Sequence, residues 1–564
     1  MKSFLLLPTL LFALTGAAHA TSYFVSDCGS GANGKCVAGN DANPGTTPAA
    51  PWKSCAKVTA RFPSLAAGDQ VLFARGSAQD ACKLNFLSNL NSRAANPIVM
   101  GAYTPAWETV TTPVPILHGT ESFFTLSLIN PGNSTHDEGY VVQDLHFVGT
   151  GITSSKAAMV MYNDVKYVTI QRVEIEQFAL GIQCNGGTNN PLNAGSDGLS
   201  EHIVIRDSNI HHNRGTGLLL ACNDSLVENN KLDNNGVNMF DHHIYLSAPA
   251  VNNVALLGKQ VVIRGNTLTN NAPYASATAA FPTPGGCSAS AIVVHGLLDG
   301  ITIEDNTLYE PTVPINGCWG IVVETGNYGG IYAKEGFTNV AIRGNTVINY
   351  SMAIGVGICD QCVVENNYVY SERVGAVGVN APAYYYKPAI AGNILNDKLT
   401  VRNNTVYIKS PDSGSVGIRV SRDGANHVVV SNLVYFGVGS NSGTSCFNTS
   451  GLPTSAFAVF DYNLCHYAAI PGKWDATRGA LSAQRAVGLD THSQAVDPKI
   501  ATPYAPHFTA SMPANSPAVK AGHPLMSSKF GIGGVRRDVA SDIGALQSGV
   551  NVVVPSSPTG IDIR

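Results

Sequence analysis

Ile263-Arg264-Gly265-Asn266-Thr267-Leu268 is the stretch that decides the fold, because the chain keeps repeating it. It returns as Ile303-Glu304-Asp305-Asn306-Thr307-Leu308 and as Ile342-Arg343-Gly344-Asn345-Thr346-Val347, with variants at residues 227–232, 364–369 and 401–406. Each copy has an aliphatic residue, two polar residues, Asn, a spacer and a second aliphatic residue. Asn230, Asn266, Asn306, Asn345, Asn367 and Asn404 hold one place in the phrase. Asn tolerates the left-handed turn conformation, and its amide both donates and accepts. Stacked turns of this kind bond side chain to side chain in a ladder. The phrase therefore predicts an all-β parallel solenoid, in which no coil buries its apolar face without a neighbour.

Composition agrees. Charged residues are 13% of the 564, about half the usual share of about 25%. Glycine and aliphatic residues are plentiful, as short turns and a long core require. The net charge of −4 offers no basic field for nucleic acid. Lys2, the apolar run 4–14 and Ala18-His19-Ala20 read as a secretory signal, residues 1–20, and no later run is long enough to span a bilayer. A secreted or periplasmic monomer is expected. Twelve cysteines in such a protein predict disulfides. Cys28, Cys36, Cys55 and Cys82 would staple the N-terminal segment, and Cys446 and Cys465 flank a loop-rich region. Cys359-Asp360-Gln361-Cys362 also has zinc-type spacing, but no second pair or nearby His accompanies it.

Both ends carry further motifs: Tyr23-Phe24-Val25-Ser26, Asn43-Pro44-Gly45-Thr46, Pro51-Trp52-Lys53 and Gly68-Asp69-Gln70-Val71 at the start, and Val496-Asp497-Pro498, Asn515-Ser516-Pro517-Ala518 and Asp542-Ile543-Gly544-Ala545 at the close. With the Asn phrases, these resemble the right-handed parallel β-helix superfamily, the fold of pectate lyases and their relatives. The resemblance implies an N-terminal cap with first coils (21–100), a β-helix (101–490) and closing coils (491–548); the uneven spacing of the Asn phrase adds inserted loops at 272–286, 325–338 and 381–397, and the Pro/Ser-rich tail (549–564) reads as disordered. The resemblance implies no catalytic residues, because the catalytic signatures of pectate lyases, polygalacturonases and alginate epimerases are not matched.

Site residues come from strand alternation instead. A second strand in each coil aligns His243-Ile244-Tyr245-Leu246-Ser247 with Ala291-Ile292-Val293-Val294-His295 and Gly320-Ile321-Val322-Val323-Glu324. If the aliphatic positions face inward, His243, Tyr245, Ser247, His295 and Glu324 face outward, and Gly417-Ile418-Arg419 adds Arg419. His243, Tyr245, His295 and Glu324 are the candidate catalytic groups. Asp241, His242, Ser247, Trp319, Lys387 and Arg419 are the candidate substrate contacts. Proton abstraction beside a carboxylate needs a base, an acid for the leaving oxygen and a cation, and His, Tyr, Arg, Lys or a bound Ca²⁺ can fill those roles. A solvent-facing sheet also carries polar residues that do nothing, Trp319 and Tyr384-Tyr385-Tyr386 pack as readily as they stack on sugars, and His211-His212 can be a polar loop. A lyase acting on an acidic polysaccharide is the first expectation. An epimerase, a glycoside hydrolase using Asp241 and Glu324, and a non-catalytic glycan-binding solenoid are the alternatives.

Overall fold

The computed structural model describes residues 20–553 apart from 109–112, 131–136, 163, 185–197, 238–239, 252–253, 273–288, 312–317, 324–335, 358, 373–375, 381–396, 413, 421–423, 439–442, 450, 469–470, 501–508, 535, 538–540 and 549–550. Three long sheets of 14, 13 and 13 strands take most strands in rotation, and a four-stranded parallel sheet (Gly258–Lys259, Leu297–Asp299, Gly336–Thr338 and Cys359–Asp360) and two antiparallel pairs take the rest. One coil, for example, gives Val261–Arg264 to sheet A, Thr267–Thr269 to sheet B and Ala289–His295 to sheet C. All pairing within these sheets is parallel, and in phase apart from register shifts at Leu84/Leu87 and His427/Val428: Ile263 sits opposite Ile303, then Ile342, Val364, Val401 and Val429. The chain is thus a parallel β-helix, right-handed as twisted strands require of parallel crossovers. The aliphatic residues at either end of the Asn phrase are its core. Ile263, Ile303 and Ile342 from sheet A and Leu268, Leu308 and Val347 from sheet B are fully buried.

From the coil of Tyr140–Gln143 onward the turn between sheets A and B is two residues long, and the ladder stands in its second position. Asn266 Nδ2 donates to Asn306 Oδ1 (2.9 Å) and to Val227 O in the preceding coil (3.0 Å). The same bonds recur through Asn306, Asn345, Asn367 and Asn404, and extend to Asn432 and Asn463. One detail differs from the sequence expectation. The left-handed residue is not the ladder Asn but the one before it: Asn229, Gly265, Asp305, Gly344, Asn366, Asn403, Ser431 and Tyr462 have φ between 52° and 66°. The backbone turn and the amide ladder are therefore carried by separate residues.

A second polar column lies inside the corner between sheets B and C. Asn213 Nδ2 donates to Asn235 Oδ1 (2.9 Å), Asn235 Nδ2 meets His243 Nδ1 (3.2 Å), and His243 N donates to Asn271 Oδ1 (3.0 Å). The column ends on Glu310, whose Oε1 accepts from Asn271 N (2.9 Å) and Tyr350 Oη (3.1 Å). Burial pushes the Glu310 carboxyl up to about 8. A carboxyl whose folded value lies above its unfolded value of about 4.3 stabilises the fold when protonated, and that contribution is lost as pH rises from about 4.3 to about 8. Glu310→Gln keeps the shape and an acceptor oxygen. Its melting temperature, relative to wild type, is expected to rise between pH 5 and pH 9. An equal offset at both pH values would show that Glu310 ionises freely in the fold.

The ends are closed by the motifs noted above. Asp69 accepts from Thr21 N and Ala66 N (both 2.8 Å), fixing the first strand, Ser22–Val25, beside Gln70–Ala74. Helix Cys55–Arg61, capped by Ser54, follows the tie from Trp52 Nε1 to Asn43 O (3.1 Å). Disulfides Cys28–Cys36 and Cys55–Cys82 staple this end, and Cys184–Cys222, Cys359–Cys362 and Cys446–Cys465 join later segments. The CxxC pair is thus a disulfide in place of a zinc half-site. Cys318 is also bridged, whereas Cys287 lies outside the described residues. At the far end the closing segment packs on sheet B, where Ile543, Ala545 and Leu546 cover Tyr370 and Tyr407. Arg537 threads this seam, donating to Asp542 O, Gly544 O and Asn366 Oδ1. Asn551–Val553, expected within a loose tail, instead pairs antiparallel with Thr509–Ser511. Residues 1–19, within the expected signal (1–20), and residues 554–564 lie outside the described residues.

Candidate functional site

Strand Ile244–Ser247 of sheet C buries Ile244 and Leu246 completely, so Tyr245 and Ser247 face outward. Pairing places Ser247 beside His295 and Tyr245 beside Val293. The Tyr245 ring lies 5.5 Å from that of His295 and 5.5 Å from that of His242. A phenol thus stands between two imidazoles. His242 Nδ1 donates to Ser290 O (2.8 Å), which leaves Nε2 with the lone pair of the neutral ring. Burial, with His295 nearby, holds His242 down at about 4, so it is neutral at pH 7. The outward row is not solvent-swept: Ser290, Val293, His295 and Val322 are all buried. The expected insertions at 272–286 and 325–338 adjoin these strands in the sequence and fall largely outside the described residues.

His243 is the correction. It is fully buried, and Nε2 has no hydrogen-bond partner, so it faces the interior rather than the groove. The alternation fails because residue 243 precedes the strand, at the corner where sheet B passes into sheet C. The other coils put Gly181, Gly217, Ala291, Gly320, Ala353, Gly378 and Gly417 at this position. A Cβ on Gly320 would come within 2.8 Å of Val347 and one on Gly378 within 2.4 Å of Val406, both core residues. That column of small residues was the available signal that the position points inward. Burial lowers the His243 imidazole to about 4.

The remaining candidates separate. Trp319 pairs with Ser290 and so lies two strand spacings from His242, on the same face. Asp241 accepts from Val237 N (2.9 Å) and closes the turn leading into the strand. Arg419 shares the Tyr245 row, through Val293, Val322, Gly355 and Asn380, but five strand spacings away, about 24 Å. Its guanidinium donates to Asn380 Oδ1 (3.3 Å). Glu324 and Lys387 lie outside the described residues.

Sequence reasoning missed a second ionisable cluster, on the outer face of sheet B. His146 Nε2 lies 3.1 Å from Glu176 Oε1, His211 Nε2 lies 2.9 Å from Glu174 Oε1, and His211 Nδ1 meets His212 Nδ1 at 2.9 Å. The signal was the polar alternation Glu174-x-Glu176, Asn209-x-His211 and Lys231-x-Asp233 in strands only three residues long. Hydrogen bonds from His211 and His146 hold Glu174 and Glu176 below the usual carboxylate range. Glu201, His202 and Asp224 bring ligand atoms within 4.8 Å of one another, the spacing of a cation site. Lys166 Nζ, 3.0 Å from Glu201, already answers part of that charge.

No family model matches the chain, and no curated protein matches it. Similar coils occur among solved structures. XylC in complex with xylose is 11% identical with a TM-score of 0.47, over 94% of this chain and 99% of that one. The GH136 lacto-N-biosidase from Eubacterium ramulus is 14% identical with a TM-score of 0.45, over 72% and 68%. Pectate lyase Pel9A is 12% identical with a TM-score of 0.37, over 94% and 98%. The fold assignment rests on strand order and register, not on these scores. No helix among the described residues is long and apolar enough to cross a membrane.

Proposed function

We propose that the protein is a secreted carbohydrate-active enzyme, a lyase acting on an acidic polysaccharide, with its groove on the outer face of sheet C. One observation carries this reading: Tyr245 lies between His242 and His295 on the outer face of sheet C. β-Elimination needs two proton-transfer groups on one substrate. One takes the proton from the carbon beside the carboxylate. The electron pair left behind forms the new double bond and expels the glycosidic oxygen, which receives a proton from the second group. His242, neutral with Nε2 as its lone-pair nitrogen, suits the base, and the Tyr245 hydroxyl or His295 the acid. Glu324 belongs to the same proposal as a further acid/base group, and Lys387 or Ca²⁺ as the cation at the substrate carboxylate. The disulfides and the signal-like N-terminus support export.

Incubation with polygalacturonate and alginate, with and without chelator, tests the reading. A rise in ultraviolet absorbance from an unsaturated uronate is the expected result. New reducing ends without that absorbance would replace the lyase by a hydrolase, and binding without either would leave a glycan-binding solenoid. The hydrolase reading has one specific support. Glu174 and Glu176 share a face two residues apart, about 6.6 Å along the strand, within the range of about 6.5–9.5 Å used by inverting enzymes. Their lowered carboxyls argue against it, because one of the pair must stay protonated to act as the acid.

A further inference from the structure

The outer face of sheet C carries a second feature, toward the N-terminal end. Phe86 is 55% exposed and Phe123 is 45% exposed. The Phe86 ring lies 6.4 Å from Tyr162 at an interplanar angle of 25°, and Phe124 packs against the same tyrosine at 5.9 Å. Lys83 Nζ lies 4.6 Å from the Phe123 ring centre, so the edge of this platform is cationic.

Phe86 is held outward by a bulge. Leu84 and Leu87 are both buried and pair with Leu126 and Leu128 across a register shift. The intervening residue takes φ +53°, and its N–H donates to Ser127 Oγ (2.7 Å). A left-handed conformation is costly for an aromatic residue. Bulges commonly re-aim a side chain beside a site. Here the result is a strained backbone that sets a large apolar ring in solvent.

Register ties the platform to the groove. Met161 pairs with Cys184, Cys184 with Leu220 and Leu220 with Leu246. Tyr162, one residue on from Met161, therefore occupies the row of Ser247 and His295, four strand spacings or about 19 Å from His295. A polysaccharide lying along the row advances by about one sugar per strand, and pyranose rings present an apolar C–H face to an aromatic ring. Exposed apolar patches of this kind mark ligand grooves.

We infer that Phe86, Phe123 and Tyr162 form a distal stacking subsite for an acidic polysaccharide, several sugars from the ring held at Tyr245 and His295, with Lys83 facing a uronate carboxylate. The inference rests on the proposed groove. Its consequence is length dependence, since only chains long enough to span both places gain from the platform.

The test compares wild type, Phe123→Ala and Phe86→Ala/Phe123→Ala by calorimetric titration with intact polygalacturonate and alginate and with the corresponding trisaccharides. Phe123→Ala leaves the strained bulge untouched, so it reports on binding even where the double variant folds poorly. Each variant is expected to bind the recognised polymer about tenfold or more weakly than wild type, as for loss of an aromatic anchor, with trisaccharide affinity unchanged. A Phe123→Ala variant with wild-type polymer affinity, or one weakened equally toward polymer and trisaccharide, overturns the subsite and leaves the lyase reading standing. A wild type that neither binds nor cleaves either polymer overturns both.

Discussion

Tyr245→Phe is expected to lower turnover by about 100- to 10,000-fold, the usual worth of a proton-transfer group, while unfolding at the wild-type temperature. The ring that packs between His242 and His295 is retained, and only the hydroxyl is lost. The partner substitution needs more care. His295 points outward yet is 3% exposed, so truncation to Ala would leave a cavity. His295→Asn fills more of the space, and the same loss of activity is expected from it with a smaller change in stability. Rates of double-bond formation, measured beside thermal unfolding, give the comparison. Full activity in both variants would move the groove off this face. Unfolding of Tyr245→Phe would mean that the hydroxyl is a structural bond.

Asn306→Leu is expected to destabilise the protein by about 3–5 kcal/mol, because it leaves several buried polar groups without partners at once. Asn306 Nδ2 donates to Asn345 Oδ1 (3.0 Å) and Ile263 O (2.9 Å), and its Oδ1 accepts from both the N–H and Nδ2 of Asn266 (2.9 Å each). Leucine has nearly the same shape, so the loss isolates hydrogen bonding from packing. Thr307→Val, one residue on and facing outward, is the control and should stay within about 0.5 kcal/mol. Chemical denaturation measures both. A cost below about 1 kcal/mol for Asn306→Leu would mean that the ladder follows from the coil and does not hold it.

The fold was legible because its strongest constraints are local and periodic. A buried amide has to be satisfied in every coil, so Asn recurs, and the aliphatic residues on either side recur with it. The N-terminal disulfides were legible for a different reason, as four cysteines crowd one short segment. Site residues were harder. Alternation places Tyr245, Ser247 and His295 correctly because they lie inside the strand. It misplaces His243, since pleating does not extend through a corner. The His146, Glu174, Glu176 and His211 cluster escaped notice because it is assembled from three short strands far apart in sequence, and only register joins them. Arg419 was joined to the site by its row, yet a row in a solenoid is as long as the molecule.

The left-handed residue and its successor make a two-residue turn from sheet A to sheet B in eleven coils, from Asp144-Leu145 through Asp461–Asn463, where Tyr462 and Asn463 fill it. An added residue there would take an amide out of its column and turn the following strand inside out. Through these eleven coils that edge takes no insertion, although residues 104–115 join sheet A to sheet B just before them. Within those coils the longer connections fall on either side of sheet C, as between Thr267–Thr269 and Ala289–His295. The architecture therefore separates connections whose length must stay fixed from connections whose length is free to vary.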